Sequence, residues 1–216
     1  MTQGSDSLGW VPAGLANMIQ NESTMRSVIE NNDLALWRGA DGVARAWENR
    51  CPHRGMRLSY GIVRKNRLTC LYHGWTFNGE GRCDKIPAHP NLDPPTTIGA
   101  KVYKCVEVGG LLWVAHTENS SEPPVINGSW IPCRSLHFTK KIALSNLIAR
   151  MDADPLNAHA QYLNPPDGAK MLLAVQPMGK RGTMLHLTLH AEATREDHLR
   201  ASRWLIAHRL TTEIIA

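Results

Sequence analysis

The sequence predicts an all-β domain of small antiparallel sheets followed by a small α+β domain. Three observations carry this. Residues 8–116 are short strand-like runs separated by Gly- and Asn-containing turns. Residues 117–132, TENSSEPPVINGSWIP, are polar with Pro and Gly and read as a linker. Residues 133–216 then change character and close on a segment with helix-start signals.

Within the first domain, LALWRG and VARAWENR are strand-like runs joined by ADG. LTCLYHGWTFNGEGRCDKI reads as a hairpin turning at Asn78–Gly81, and KVYKCVEVGGLLWVAH as another turning at Gly109-Gly110. In the second domain, LHFTKKIAL, AKMLLAVQPM and TMLHLTLHAEA read as strands. SNLIARMDADPLNAHAQYL has helical spacing interrupted by Pro155. The last segment reads as a helix with Thr194 as N-cap and Glu196 and Asp197 in its first turn, where carboxylates oppose the helix dipole.

The chain has 216 residues, 43% hydrophobic and 20% charged, enough for a real core. With 24 basic and 19 acidic residues it carries a net charge of +5, and the basic residues are scattered. No stripe or long run suits nucleic acid. The mild positive field fits either docking of an acidic redox partner or an ordinary solvated surface. No stretch suits a bilayer span, and MTQGSDSL lacks the basic start and apolar core of a leader, so no membrane association and a cytoplasmic location are expected. Five Cys in such a chain do not suggest a disulfide framework, and Cys83, Cys105 and Cys133 read as plain thiols.

The chemistry is concentrated in CPHRGMRLSYGIVRKNRLTCLYHGWTF, residues 51–77. It holds Cys51-x-His53 and Cys70-x-x-His73, with 16 residues between His53 and Cys70. Two Cys and two His suit zinc, although structural zinc sites often use C-x-x-C knuckles. They also suit a Rieske cluster, in which two Cys hold one iron and two His the other. Neutral imidazoles in place of thiolates raise the reduction potential of such a centre.

Cys51-Pro52-His53-Arg54-Gly55 and Cys70-Leu71-Tyr72-His73-Gly74-Trp75-x-Phe77 resemble the Rieske domain of ring-hydroxylating and O-demethylating non-haem iron oxygenases, notably the vanillate O-demethylase oxygenase-like group. The resemblance implies a [2Fe–2S] cluster on Cys51, His53, Cys70 and His73. It implies a Rieske domain over 8–116, a linker over 117–132, and over 133–216 a truncated form of the helix-grip catalytic domain. Rieske proteins of respiratory complexes tie the two cluster loops with a disulfide. The corresponding positions here are Met56 and Tyr72, so the chain resembles the oxygenase and ferredoxin branch, low in the range of about −150 to +300 mV. Gly55 and Gly74 are expected to let the backbone approach the sulfurs, and Trp75 and Phe77 to serve the domain core.

Oxygenases of this family add a mononuclear iron held by two His and a carboxylate in a facial arrangement. In trimers a bridging Asp links it to a neighbour's cluster. The family pattern Asp-x-x-His-x-x-x-x-His falls on Asp154, Asn157 and Tyr162 here, so the Asp is present and both His are replaced. His159 is out of register with 157 on a helix. His186 and His190 share one face of a strand, with Leu185, Leu187 and Leu189 on the other. With His159 and Asp154 they form a candidate mononuclear iron set, or that face is solvated or lines a polar cavity. Glu213 lies near the family's last carboxylate ligand.

Two readings follow from the resemblance. One is a compact oxygenase component of the mono- or dioxygenase type, fed by an NAD(P)H-driven reductase or a ferredoxin, acting on a small aromatic substrate, as a homotrimer. The other is a non-catalytic Rieske electron-transfer protein or subunit that has lost the mononuclear iron.

Overall fold

The computed structural model describes residues 9–115, 117, 122–142, 153–166 and 168–214, with side chains as far as 210. In chain order the strands are β1 (Trp10–Leu15), β2 (Ser23–Ile29), β3 (Asn32–Arg38), β4 (Ala44–Glu48), β5 (Ile62–Arg64), β6 (Arg67–Thr69), β7 (Thr76–Phe77), β8 (Cys83–Lys85), β9 (Val102–Tyr103), β10 (Cys105–Val108) and β11 (Leu111–Ala115). Then come β12 (Trp130–Phe138), β13 (Ala153–Asn157), β14 (Ala160–Leu163), β15 (Met171–Pro177), β16 (Thr183–His190) and the helix α1 (Arg195–Ile214). The chain is thus mostly β, with one C-terminal helix among the described residues.

The chain divides into two compact units interleaved in sequence: residues 18–28 with 32–106, and residues 1–17 with 29–31 and 107–216. The first unit holds two four-stranded sheets, ordered β2-β3-β4-β9 and β5-β6-β7-β8. The run LALW lies at the centre of β3 and is buried on both faces, which explains why it is continuously apolar rather than alternating. β3 pairs antiparallel with β4, as the ADG connection predicts. Trp37 and Trp47 meet edge to face at 4.8 Å, and Trp47 meets Phe77 at 6.3 Å. These rings floor a core that also takes in Cys51 and Cys70. The Asn78–Gly81 turn is held by Asn78 Oδ1, which accepts the N–H of Glu80 and of Arg82.

The second unit is built on a five-stranded antiparallel sheet, β12-β16-β15-β14-β13. The alternation predicted for β16 is present. Leu185, Leu187 and Leu189 are fully buried with Leu173, Phe138 and Leu163, and Ala201 and Leu205 of α1 join them. Fully burying side chains of this kind stabilises by about 1.5–3 kcal/mol each. The strand β1 packs on β12, β15 and β16 within this unit and pairs with β11. Strands β1 and β11, assigned by sequence to the first domain, therefore lie in the same unit as the five-stranded sheet. Strand β12 begins at Trp130, inside the stretch read as linker. The helix α1 opens on a reciprocal cap. Thr194 donates its N–H and hydroxyl to Asp197 Oδ2 at 2.9 and 2.7 Å, and Asp197 N–H donates back to Thr194 Oγ1 at 3.2 Å.

The helical reading of SNLIARMDADPLNAHAQYL needs correction. Residues 153–163 form the antiparallel hairpin β13–β14, with Asp154 opposite Tyr162. Pro155 disfavours a helix interior, but it is tolerated in an edge strand, here beside an irregularity between Pro155 and Asn157. The hairpin turn is set by Asn157, whose Oδ1 accepts the N–H of His159 at 2.8 Å. Residues 145–152 of that reading lie outside the described residues, as do residues 1–8, His116 and the side chain of Glu213.

Candidate metal centre

Two loops carry the Cys and His pairs, one between β4 and β5 and one between β6 and β7. The first is pinned at its entrance. Asn49 is 4% exposed, donates its N–H to Asp33 O at 2.9 Å and its Nδ2 to Asp33 Oδ1 at 3.0 Å, and accepts the Ser59 N–H at 2.7 Å. Asp33 also takes two bonds from Arg26, at 2.7 and 2.9 Å, and faces Arg57 at 3.6 Å. Burial pushes the Asp33 carboxyl up, but the bonds from Arg26 and Asn49 outweigh it and hold it below the usual range. The second loop is braced at its base by the Thr69 and Thr76 hydroxyls, 3.0 Å apart, and by Thr76 donating to Gly74 O at 3.2 Å.

The two loops repeat one backbone pattern. Cys51 N–H donates to Met56 O and Cys70 N–H to Trp75 O, each at 2.8 Å. Gly55 N–H returns to Cys51 O at 2.8 Å and Gly74 N–H to Cys70 O at 3.0 Å. Each knuckle closes through a glycine in the left-handed region, at φ +73° and +70°, where a side chain is strained. The knuckles therefore form from local sequence, and the strands β4 to β7 bring them face to face.

The side chains sort by type. Cys51 and Cys70 are each 2% exposed and lie together in the core. His53 is half-buried and His73 exposed, with their rings edge to face at 4.6 Å. Burial pushes the Cys51 thiol up to about 11, the neighbouring Cys70 adds to this, and the backbone N–H groups of His53 and Arg54 oppose it. Two adjacent buried thiols with amides aimed at one of them are a poor free-thiol arrangement. A bound cation that deprotonates them resolves it. Burial lowers the His53 pKa, with His73 and Arg54 adding to the shift, which favours the neutral imidazole that a metal needs. A four-ligand zinc site requires thiols and imidazoles on one tetrahedron. Here the thiols are inside and the imidazoles outside, and no three His, Cys, Asp or Glu converge on a single-ion site among the described residues. That sorting fits a two-metal cluster with one iron at each end. None of the five Cys is in a disulfide.

The structure does not bring the candidates for a second iron together. His186 and His190 do share a face, but four residues along a strand separate them by about 13 Å. His186 is 1% exposed, and both its ring nitrogens are used, by Ser135 Oγ and Gln176 Oε1, each at 2.7 Å. His190 sits edge to face on Trp130 at 5.7 Å and 3.6 Å from Glu192. His159 lies in the β13–β14 turn. Asp154 is exposed and accepts a bond from Asn164 at 3.2 Å. Tyr162, at one of the replaced His positions, stacks on Trp130 at 5.4 Å under Lys170.

Sequence reasoning missed Asp33, Asn49 and two aromatic rings. Trp75 lies flat on His53, with centroids 4.3 Å apart and planes 5° apart, and Tyr72 stacks on His73 at 3.9 Å. The alternation of Trp75 with Phe77 signals only a strand, so the cross-loop contact of Trp75 was not legible. Asn49 left one signal, a polar residue directly after a buried strand.

Residues 9–104 match the family described as Rieske [2Fe-2S] domain. The "Oxidoreductase NdmD" of Pseudomonas putida is 35% identical over 115 residues, 53% of this chain and 20% of that protein. The "3-chlorobenzoate-3,4-dioxygenase oxygenase subunit" of Comamonas testosteroni is 32% identical over 107 residues, 49% of this chain and 25% of that protein. The matched part is thus a quarter or less of these two relatives. Among solved structures, apo dicamba monooxygenase superposes with a TM-score of 0.77 at 17% identity, covering 95% of this chain and 84% of that one. NdmA of Pseudomonas putida CBB5 gives 0.70 at 18%, covering 93% and 78%. At such identities these likenesses concern the fold alone. No helix among the described residues is long and apolar enough to cross a membrane. Residues 9–104 are thus a Rieske [2Fe-2S] domain, and in this part the chain is similar to oxidoreductases and oxygenase subunits of the Rieske non-haem iron type.

Proposed function

We propose that this chain is the terminal oxygenase component, or its cluster-bearing part, of a cytoplasmic aromatic-ring hydroxylating or O-demethylating system. Cys51 and Cys70 hold one iron of the cluster and His53 and His73 the other. In this reading 8–116 is the cluster domain and 133–216 a reduced oxygenase-type domain. The single observation that carries it is the sorting of buried thiols from outward imidazoles on two matching knuckles. The cluster supplies one-electron chemistry when bound. The chain's own part is to bury the thiolates, offer amide N–H groups to Cys51, and present the imidazoles to solvent, where a reductase or ferredoxin can approach.

A small aromatic substrate is supported by a cavity of about 120 Å³ under α1, lined by Pro165, Met171, Leu189 and Trp204 with Asp197 and Arg200. A dry engineered cavity of about 150 Å³ takes benzene, so the size suits a single ring. Asp154 as a bridging carboxylate and a homotrimer are parts of the proposal that rest on family resemblance; a mononuclear iron on His159, His186 and His190 would require those side chains to leave the positions they hold here.

The test is iron and acid-labile sulfide per chain on anaerobically purified protein. Two of each establish the cluster alone. Three irons with two sulfides add the mononuclear site. A chain with neither refutes the reading. Replacing Cys70→Ser is expected to abolish the visible cluster spectrum, and a full two-iron spectrum in that variant refutes the ligand assignment.

A further inference from the structure

We propose that Trp75 is a positioning residue that clasps the two cluster loops together and sets the reduction potential through its stack on His53. The inference rests on the cluster reading above and goes beyond its ligand set. Trp75 belongs to the second loop, where its carbonyl closes the Cys70 knuckle at 2.8 Å. Its indole lies on the imidazole of the first loop at 4.3 Å and 5°. It therefore spans the loops, which no disulfide joins. Tyr72 also covers a ligand imidazole, but one in its own loop, and it is 61% exposed. Trp75 is half-buried against the core that holds Cys51 and Cys70, so its plane is fixed from behind. A ring so fixed holds the plane of the imidazole it covers.

The sign of the effect follows from charge. Neutral imidazoles leave the iron they hold more positive than thiolates do. The face of an indole attracts positive charge, more so than that of Phe. The stack thus favours the oxidised state, in which the imidazole carries more positive character. Removing the π face should raise the midpoint potential.

The experiment is spectroelectrochemical titration of cluster-loaded wild type, Trp75→Leu and Trp75→Phe, with the electron paramagnetic resonance signal recorded on the reduced proteins. Trp75→Leu is expected to favour the reduced state about threefold at fixed potential, about 30 mV upward for a one-electron couple. It is also expected to alter the resonance line shape. Trp75→Phe should fall between. A Leu variant with an unshifted midpoint, or Leu and Phe variants shifted alike, would overturn the proposal. Should the Leu variant not retain its cluster, the Phe variant decides, since an unshifted midpoint there also overturns it. Wild type without iron and sulfide would instead fail the cluster reading itself.

Discussion

His186 gives the second unit a defined response to acid. It lies on β16, between β12 and β15 in the five-stranded sheet, 1% exposed, with Gln176 Oε1 accepting from Nε2–H and Nδ1 accepting from the Ser135 hydroxyl. This pairing satisfies a neutral ring. Burial lowers its pKa from 6.5 to about 3. As pH falls below about 6.5 the unfolded chain takes a proton there that the folded chain refuses. Stability is therefore full above about pH 6.5 and is lost between 6.5 and 3. Each pKa unit corresponds to about 1.4 kcal/mol, so reaching pH 5 costs roughly 2 kcal/mol. His186→Gln removes the titration at the expense of the fitted hydrogen bonds. It should be less stable than wild type at pH 7.5, and the gap should shrink by about 2 kcal/mol by pH 5. Urea unfolding across this range measures it, with hydrogen exchange of the β15 and β16 amides as the local readout. A gap that stays constant with pH would refute the assignment of a buried neutral His186.

The cluster loops and the hairpin supply two further predictions. Gly55→Ala and Gly74→Ala each place a side chain at positive φ, costing about 1 kcal/mol. A Cβ at Gly74 also meets Pro87 Cγ at 3.0 Å, while one at Gly55 meets the flexible Arg50 side chain no closer than 3.5 Å. Gly74→Ala should therefore lower the melting temperature and cluster retention more, and equal effects would argue against the packing account. Asn157→Ala removes the bond to His159 N–H, worth about 1 kcal/mol, and should leave iron per chain unchanged. Loss of one iron in that variant would mean that Asn157 lies at a metal site after all.

What was legible in the sequence is what is encoded locally. The Cys51–Gly55 and Cys70–Gly74 knuckles close on their own backbone within six residues, so their spacing alone carried the chemistry. The capping of α1 by Thr194 and the Leu face of β16 were readable for the same reason. The hairpin at 153–163 was not, because the helix-like spacing of the longer stretch SNLIARMDADPLNAHAQYL is overridden by the pairing of β14 with β13 and β15. Nor was the unit boundary, because β1 joins residues distant in sequence and its six buried residues look like any first strand. Asp33 bracing Asn49, and Trp75 covering His53, are likewise contacts between separate segments, which no local pattern announces.

This difference bears on how the two metals must be tested. The contacts that brace the cluster loops, from Arg26–Asp33–Asn49 to Thr69–Thr76, lie in residues 18–28 and 32–106. His159, His186 and His190 all lie in the other unit, and the neutral pairing of His186 with Ser135 and Gln176 is complete without a metal. Recruiting His186 to iron would break one of those bonds and strand a buried partner, at about 1–3 kcal/mol. An intact cluster spectrum is therefore silent about a second iron. Only a count of iron per chain, set beside the pH response of His186, separates a chain that stops at electron transfer from one that goes on to activate oxygen.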